Sequence, residues 1–247
     1  MNEEKDFISI KVEEDNLMYL FFDDGTAFSV DSLNPHTIIH ALSCTFDKRD
    51  YSEEEVLALA PGHKKRNLKY ALTTHWHADH SGGDSKLKDL SPNTIFLNSV
   101  SAEDLKITDI GHFKVQALKT PCHTLDSACF YVTREERKYL LTGDFLFKLG
   151  CGRFFEGSPQ MFISSLEKLK KHVDDSTLLL YGHDYYETNK RFAEKFYAID
   201  GCEDFFLTFE TEKKLNPFIN FRACRDGEPL SDTELLKRIR TMKDEFK

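Results

Sequence analysis

The sequence predicts a mixed α/β domain over residues 1–184, followed by a smaller, mainly helical piece over residues 185–247. Three observations lead there. Short apolar runs of strand length recur between turn residues, one well-started amphipathic helix sits among them, and helical spacing takes over after Tyr185.

The elements follow in chain order. Leu17–Phe22 is apolar, Asp23-Asp24-Gly25 is a turn signal and Ala27–Val30 resumes, which together read as a hairpin. The rest of the first third reads as strands and turns, with Tyr70–Thr74 as a strand leading into a histidine cluster. Further strands are expected at Thr94–Leu97, Phe113–Leu118, Ala128–Val132, Tyr139–Thr142 and Thr177–Tyr181. Between the last two, Ser158 suits a helix N-cap and Pro159 its first position, and Phe162, Leu166 and Leu169 recur at helical spacing. Lys190–Ile199 reads as a helix with Phe192, Phe196 and Ile199 on one face. Ser231-Asp232-Thr233-Glu234 is a capping box that opens a last helix striped by Leu235, Leu236 and Ile239.

Composition narrows the function classes. The chain has 247 residues, enough for one large domain or one with a small appendage, and 40% hydrophobic residues suit a globular core. A net charge of −9 argues against a nucleic-acid binder and against an anionic membrane surface as partner. Six cysteines without a CxxC pair suggest reduced thiols rather than a disulfide scaffold. The polar, acidic start Met1–Asp6 lacks the pattern of a signal or transit peptide, and no apolar run is long enough to span a bilayer, so a cytoplasmic protein is expected.

The chemistry concentrates in Thr74-His75-Trp76-His77-Ala78-Asp79-His80-Ser81-Gly82-Gly83. With ten histidines in the whole chain, a chance H-x-H-x-D-H match is on the order of one in a thousand. His75 and His77 are two apart, so on an extended segment they point the same way. Asp79 and His80 follow where the chain turns, with conformational freedom expected from Gly82 and Gly83. One loop can thus offer ligands to two neighbouring metals, and imidazole with carboxylate suits zinc, iron or manganese. Three later runs each follow a strand: Pro121-Cys122-His123-Thr124, Thr142-Gly143-Asp144 and Tyr181-Gly182-His183-Asp184. Singly, each has a simpler explanation, such as a turn or an exposed histidine; their joint order carries the weight.

The THWHADH run resembles the T-H-x-H-x-D-H motif of the metallo-β-lactamase superfamily. That resemblance implies an α/β fold, a four-layered αβ/βα sandwich, here with a small C-terminal helical domain. It implies that His75, His77 and His123 hold one metal, that Asp79, His80 and His183 hold a second, and that Asp144 bridges them. Asp79 would also orient the attacking water. His36, His40, His63, His112 and His172 fit no motif and are read as surface or structural.

Within the superfamily the chain is similar to glyoxalase II over nearly its whole length. The residues that carry this are Gly143–Phe147 with Gly150-Cys151-Gly152-Arg153-Phe154-Phe155-Glu156-Gly157, the Gly182–Tyr185 run, Asn216-Pro217-Phe218 and Arg240-Thr241-Met242-Lys243-Asp244. The resemblance implies hydrolysis of S-D-lactoylglutathione and related thioesters to D-lactate and glutathione, the second step of methylglyoxal detoxification. It implies two divalent ions, zinc first with iron or manganese as alternatives. It assigns Arg153, Phe155, His183, Tyr185, Arg240 and Lys243 to substrate binding. Without it, Arg240 and Lys243, three apart on the last helix beside Lys237 and Arg238, read as a solvated cationic face. Two positions depart from the family: Phe155 stands where some members have tyrosine, and Trp76 where a third histidine is frequent. The rival readings are a glutathione-dependent persulfide dioxygenase with a single iron, another hydrolase of the superfamily (a lactonase, lactamase or nuclease), and a metal-binding module without catalysis. A monomer is the default expectation.

Overall fold

Residues 1–116 and 117–247 form two compact units in the computed structural model, which describes residues 5–23, 25–62, 65–227 and 229–246. The expectations on Met1–Glu4, on Asp24 in the hairpin turn and on His63 lie outside the described residues.

The first unit is built on a six-stranded sheet. β1 (Phe7–Val12), β2 (Asn16–Phe22) and β3 (Thr26–Val30) form an antiparallel meander, with Phe7 opposite Phe21 and Phe21 opposite Phe28. α1 (Pro35–Ala41), β4 (Asp50–Ser52) and α2 (Glu53–Ala58) follow, then β5 (Asn67–Thr73), α3 (Ala78–Ser81), α4 (Asp84–Leu90) and β6 (Ile95–Asn98). The strand order is β4-β1-β2-β3-β5-β6, with β5 parallel to both β3 and β6. Both sheet faces are covered, which is why the strands read as continuous apolar runs rather than alternating ones. One face presents Ile8, Ile10, Met18 and Leu20 to Ile38 of α1, Val56 of α2 and Leu87 of α4. On the other, Phe7, Phe21 and Phe28 stack at 5.0 and 4.7 Å, and Phe113 meets Phe21 and Phe28 edge-on. Phe113 sits in the hairpin of β7 (Ile107–Ile110) with β8 (Phe113–Lys119), in which the division between units falls.

The first third therefore holds helices as well as the strands and turns expected of it. α1 and α2 are seven and six residues long, too short to show a helical period in the sequence. Their starts are legible in retrospect: Pro35 at the beginning of α1, and a Ser52–Glu55 capping box on α2.

In the second unit the strand order is β11-β10-β9-β8. β9 (Ala128–Arg134) and β10 (Arg137–Gly143) are an antiparallel hairpin, and β11 (Leu178–Tyr181) runs parallel to β10. The parallel pair requires a crossover, and α5 (Pro159–His172) provides it. Ser158 caps α5 by accepting from the Met161 amide, while Phe162, Leu166 and Leu169 are buried. The remainder is α6 (Tyr186–Ala193), α7 (Phe209–Leu215), a 3-10 turn at Phe221–Cys224 and α8 (Asp232–Asp244). α6 differs from expectation: it starts before Lys190 and stops at Ala193, so Phe196 packs edge-on against Phe192 from the following turn, not from the same helix. α8 starts as expected, with the reciprocal Ser231–Glu234 capping box.

All six cysteines are free thiols, and all but Cys224 are buried. Among the described residues no helix is long and apolar enough to cross a membrane.

Candidate metal centre

The first unit places its candidate ligands where β5 ends. Thr73 and Thr74 close the strand, His75 and His77 follow, and His77 leads into α3, which carries Asp79 and His80. His75 and His80 are buried, whereas Asp79 keeps 41% of its side chain exposed. His75 Nε2 and His77 Nδ1 lie 3.1 Å apart, and His80 Nε2 lies 3.7 Å from Asp79 Oδ2. Nothing local in the sequence marks the residue that organises this loop. Asp31, one residue past β3 at φ +50°, accepts hydrogen bonds from the Thr74 amide and the Thr74 hydroxyl, each at 2.8 Å, and lies 2.9 Å from His80 Nδ1. A proton held on Nδ1 leaves the Nε2 lone pair as the ligand atom, and a carboxylate partner raises its basicity. Asn16, at the start of β2, donates from Nδ2 to the Asp79 carbonyl at 2.9 Å and so ties α3 to the sheet.

Behind the loop, Thr73 Oγ1 donates to Asp84 at 2.8 Å. Burial, aided by the charge of Asp31, pushes the Asp84 carboxyl up to about 6. The glycines serve closeness rather than the freedom expected of them. A Cβ on Gly83 would stand 1.8 Å from the Ser32 carbonyl oxygen, while φ at Gly83 is an ordinary −82°.

The second unit brings three candidate ligands together from separate strand ends. Asp144 follows β10, His183 follows β11, and Gly182 donates its amide to the Gly143 carbonyl at 3.1 Å, locking the two strand ends side by side. His123 lies in the loop after β8. Its Nδ1 is 2.9 Å from the Arg153 carbonyl, which directs Nε2 to the other side. His123 Nε2 is then 3.3 Å from Asp144 Oδ2, and His183 Nε2 is 3.5 Å from Asp144 Oδ1. Gly152 makes this packing possible: a Cβ there would fall 2.1 Å from the Asp144 carbonyl oxygen and 2.8 Å from His123 Nδ1.

The donor set fits divalent metal. Ligands 2.0–2.1 Å from a tetrahedral ion stand roughly 3.4 Å apart. The pairs His75–His77, His123–Asp144 and His183–Asp144 have their ligand atoms 3.1, 3.3 and 3.5 Å apart. A carboxylate with one imidazole beside each oxygen can serve two cations at once.

The residues assigned to substrate binding fall into two groups in the second unit. Phe155, 60% exposed, sets its ring 5.2 Å from that of His123, and Tyr185 stacks on His183 at 4.9 Å and 6°. The three cations form the other group. Asp244 accepts from Arg153 at 3.2 Å and from Arg240 at 3.1 Å. Arg240 is buried and donates to the Cys151 carbonyl at 2.9 Å. Lys243 donates to the Thr188 carbonyl at 3.2 Å, and burial, with Arg240 nearby, pushes its ammonium down to about 8. Lys237 and Arg238 of the same helix are exposed, so Arg240 and Lys243 are the inward pair, not part of a solvated face. Of the remaining histidines, His40 meets the Leu59 carbonyl, and His112 lies on the surface beside the Asp23 carboxylate.

The fold is similar to that of ETHE1 from Myxococcus xanthus, with a TM-score of 0.65, 21% identity, and coverage of 96% of this chain and 90% of that one. A Staphylococcus aureus metallo-β-lactamase follows at a TM-score of 0.59, 17% identity, and coverage of 96% and 70%. The fold is thus that of the metallo-β-lactamase superfamily, as the histidine motif implied. No family model matches the chain. Among curated relatives, a probable hydroxyacylglutathione hydrolase of Encephalitozoon cuniculi is 42% identical, covering 94% of this chain and 93% of the relative. A probable hydroxyacylglutathione hydrolase of Schizosaccharomyces pombe is 30% identical, with 93% of each covered. The chain belongs to the hydroxyacylglutathione hydrolase (glyoxalase II) family.

Proposed function

We propose that the chain is a thioester hydrolase that cleaves S-D-lactoylglutathione to D-lactate and glutathione, the second step in detoxifying methylglyoxal. The observation that carries the chemistry is the Asp144 carboxylate with a histidine nitrogen beside each oxygen; the substrate class rests on the family and its relatives' names.

His75, His77 and His123 would hold one divalent ion, Asp79, His80 and His183 the other, and Asp144 both, with zinc the first candidate. Such ions supply a water acidified from about 15.7 to about 7 and an electrophile for the carbonyl oxygen. The chain's own residues do the rest. Asp79, whose side chain keeps an open side, would orient the attacking water by accepting its hydrogen bond. Water adds to the thioester carbonyl, the carbon–sulfur bond breaks, and the sulfur leaves as a thiolate that takes up a proton from solvent. A thiolate is a good leaving group, so no dedicated general acid is required beyond the ligand set.

Residues 185–247 would form the substrate-binding piece. Lys243, largely protonated at neutral pH, and Arg153 would meet the carboxylates of glutathione. Tyr185 would offer its hydroxyl and Phe155 its ring to the thiol carrier. Arg240, committed to Cys151 and Asp244, would hold that pocket's wall in shape.

The test is hydrolysis of S-D-lactoylglutathione, followed as loss of thioester absorbance, with metal content measured on the same sample. Fast turnover with about two metals per chain supports site and substrate together. No turnover in a metal-loaded sample removes the substrate, and oxygen uptake with glutathione persulfide would then favour the dioxygenase.

A further inference from the structure

α7 carries an acid that no solvent reaches. Glu212 is fully buried, and its two oxygens accept from three different segments of the second unit. Tyr181 Oη donates to it at 2.8 Å, the Leu149 amide at 3.1 Å and Asn216 Nδ2 at 2.8 Å. The same Asn216 nitrogen also reaches the Gly150 carbonyl at 2.9 Å. A carboxylate is a costly way to fill a core, where a well-packed apolar side chain serves at least as well. The donors it gathers say what it is for. Tyr181 pairs with Gly143, the residue before Asp144, and stands two residues ahead of His183. Leu149 lies five residues after Asp144, in a turn closed by hydrogen bonds between Phe147 and Gly150 in both directions. Its φ is +56°, a left-handed conformation that leucine disfavours, and the carboxylate caps its amide there. Phe147 of that turn sets its ring edge-on to His183, 5.8 Å between centroids. One side chain thus grips both the segment leaving Asp144 and the strand entering His183.

We propose that Glu212 is a positioning residue: through Tyr181 and the Leu149 turn, it holds Asp144 and His183 in register, so that metal affinity depends on a helix outside the ligand set. The inference rests on reading Asp144 and His183 as metal ligands.

The experiment is a chelator competition for zinc on the full chain, comparing wild type, Glu212→Gln, Tyr181→Phe and the double variant. Each single variant is expected to weaken the more loosely held zinc roughly tenfold, the usual effect of losing a residue that orients a ligand. The fold, read by circular dichroism, should be unchanged, and the double variant should lose less than the product of the two single losses. Zinc affinities within about twofold of wild type in both single variants, or fully multiplicative losses, would overturn the proposal. If Glu212→Gln does not fold, Tyr181→Phe, which removes one oxygen, decides alone. A wild-type chain that binds no zinc removes the ligand reading and this inference with it. A zinc-binding wild type with unaltered variants removes only the inference.

Discussion

In the first unit four candidate ligands come from one short loop, and a single buried carboxylate, Asp31, binds that loop at both ends through Thr74 and His80. In the second unit three candidate ligands come from positions 123, 144 and 183, and what holds them is mostly backbone: the Arg153 carbonyl on His123, the Gly182 amide on Gly143, and the bare Cα of Gly152 between Asp144 and His123. A contiguous loop can be held at both ends by one side chain. Scattered ligands need the main chain itself to be brought close, and so depend on glycines and on strand register.

The largest test of this contrast is Asp144→Asn. If Asp144 bridges two ions as proposed, replacing one of its oxygens should lower turnover by about three orders of magnitude, about 4 kcal/mol of barrier, with the thermal midpoint little changed. His77→Ala should behave alike, and near wild-type rates in a fully metal-loaded sample of either would break the assignment.

Next in size is a pH effect confined to the second unit. Burial pushes Glu212 from 4.5 up to about 7. Between those values the folded chain keeps a proton that the unfolded chain has lost. The stability this gives is fully present below about 4.5 and is lost as pH rises through about 7, a swing of order 3 kcal/mol. Thermal melts of wild type and Glu212→Gln at pH 5 and pH 8 should show the wild type losing ground to the variant on the alkaline side.

Asp31→Asn probes the first unit. It removes the anion on His80 Nδ1 and should weaken metal binding about 10- to 100-fold by chelator competition. Gly152→Ala probes the second. Its new Cβ meets a carbonyl that cannot swing away, and a loss of about 2 kcal/mol in denaturant melts is expected. The smallest effect belongs to Phe155→Tyr: a new phenol hydroxyl beside His123 should lower KM several-fold, about 1 kcal/mol, and leave kcat alone.

The same contrast explains what could be read without a structure. His75, His77, Asp79 and His80 announce themselves because metal chemistry is compressed into one run, and β5 ahead of them ends in an apolar stretch. His123, Asp144 and His183 are ordinary as single residues, and only their order after strands, set beside the family pattern, marks them. Asp31 was invisible because an aspartate after a strand looks like a turn, and its partners are more than forty positions away. Glu212 was invisible for a similar reason: in Phe209–Leu215 it stands among Glu210, Lys213 and Lys214, and nothing local separates the buried acid from its exposed neighbour. The end of α6 is not legible in the sequence because Phe192 and Phe196 do touch, but across a turn, so that periodicity alone continues the helix too far.

The six thiols described with the fold have a consequence for how such a protein would live among small thiols and disulfides. Exchange with a disulfide requires an accessible thiolate. Burial pushes every cysteine the wrong way for that: Cys151 up to about 11, Cys129 up to about 12, and Cys44, Cys122, Cys202 and Cys224 upward as well. Cys151 stays protonated even under the Arg240 guanidinium, which would otherwise draw out its charge. A protein that releases a thiol at every turnover thereby offers that thiol's oxidised form five buried, protonated thiols and only one, Cys224, that solvent partly reaches.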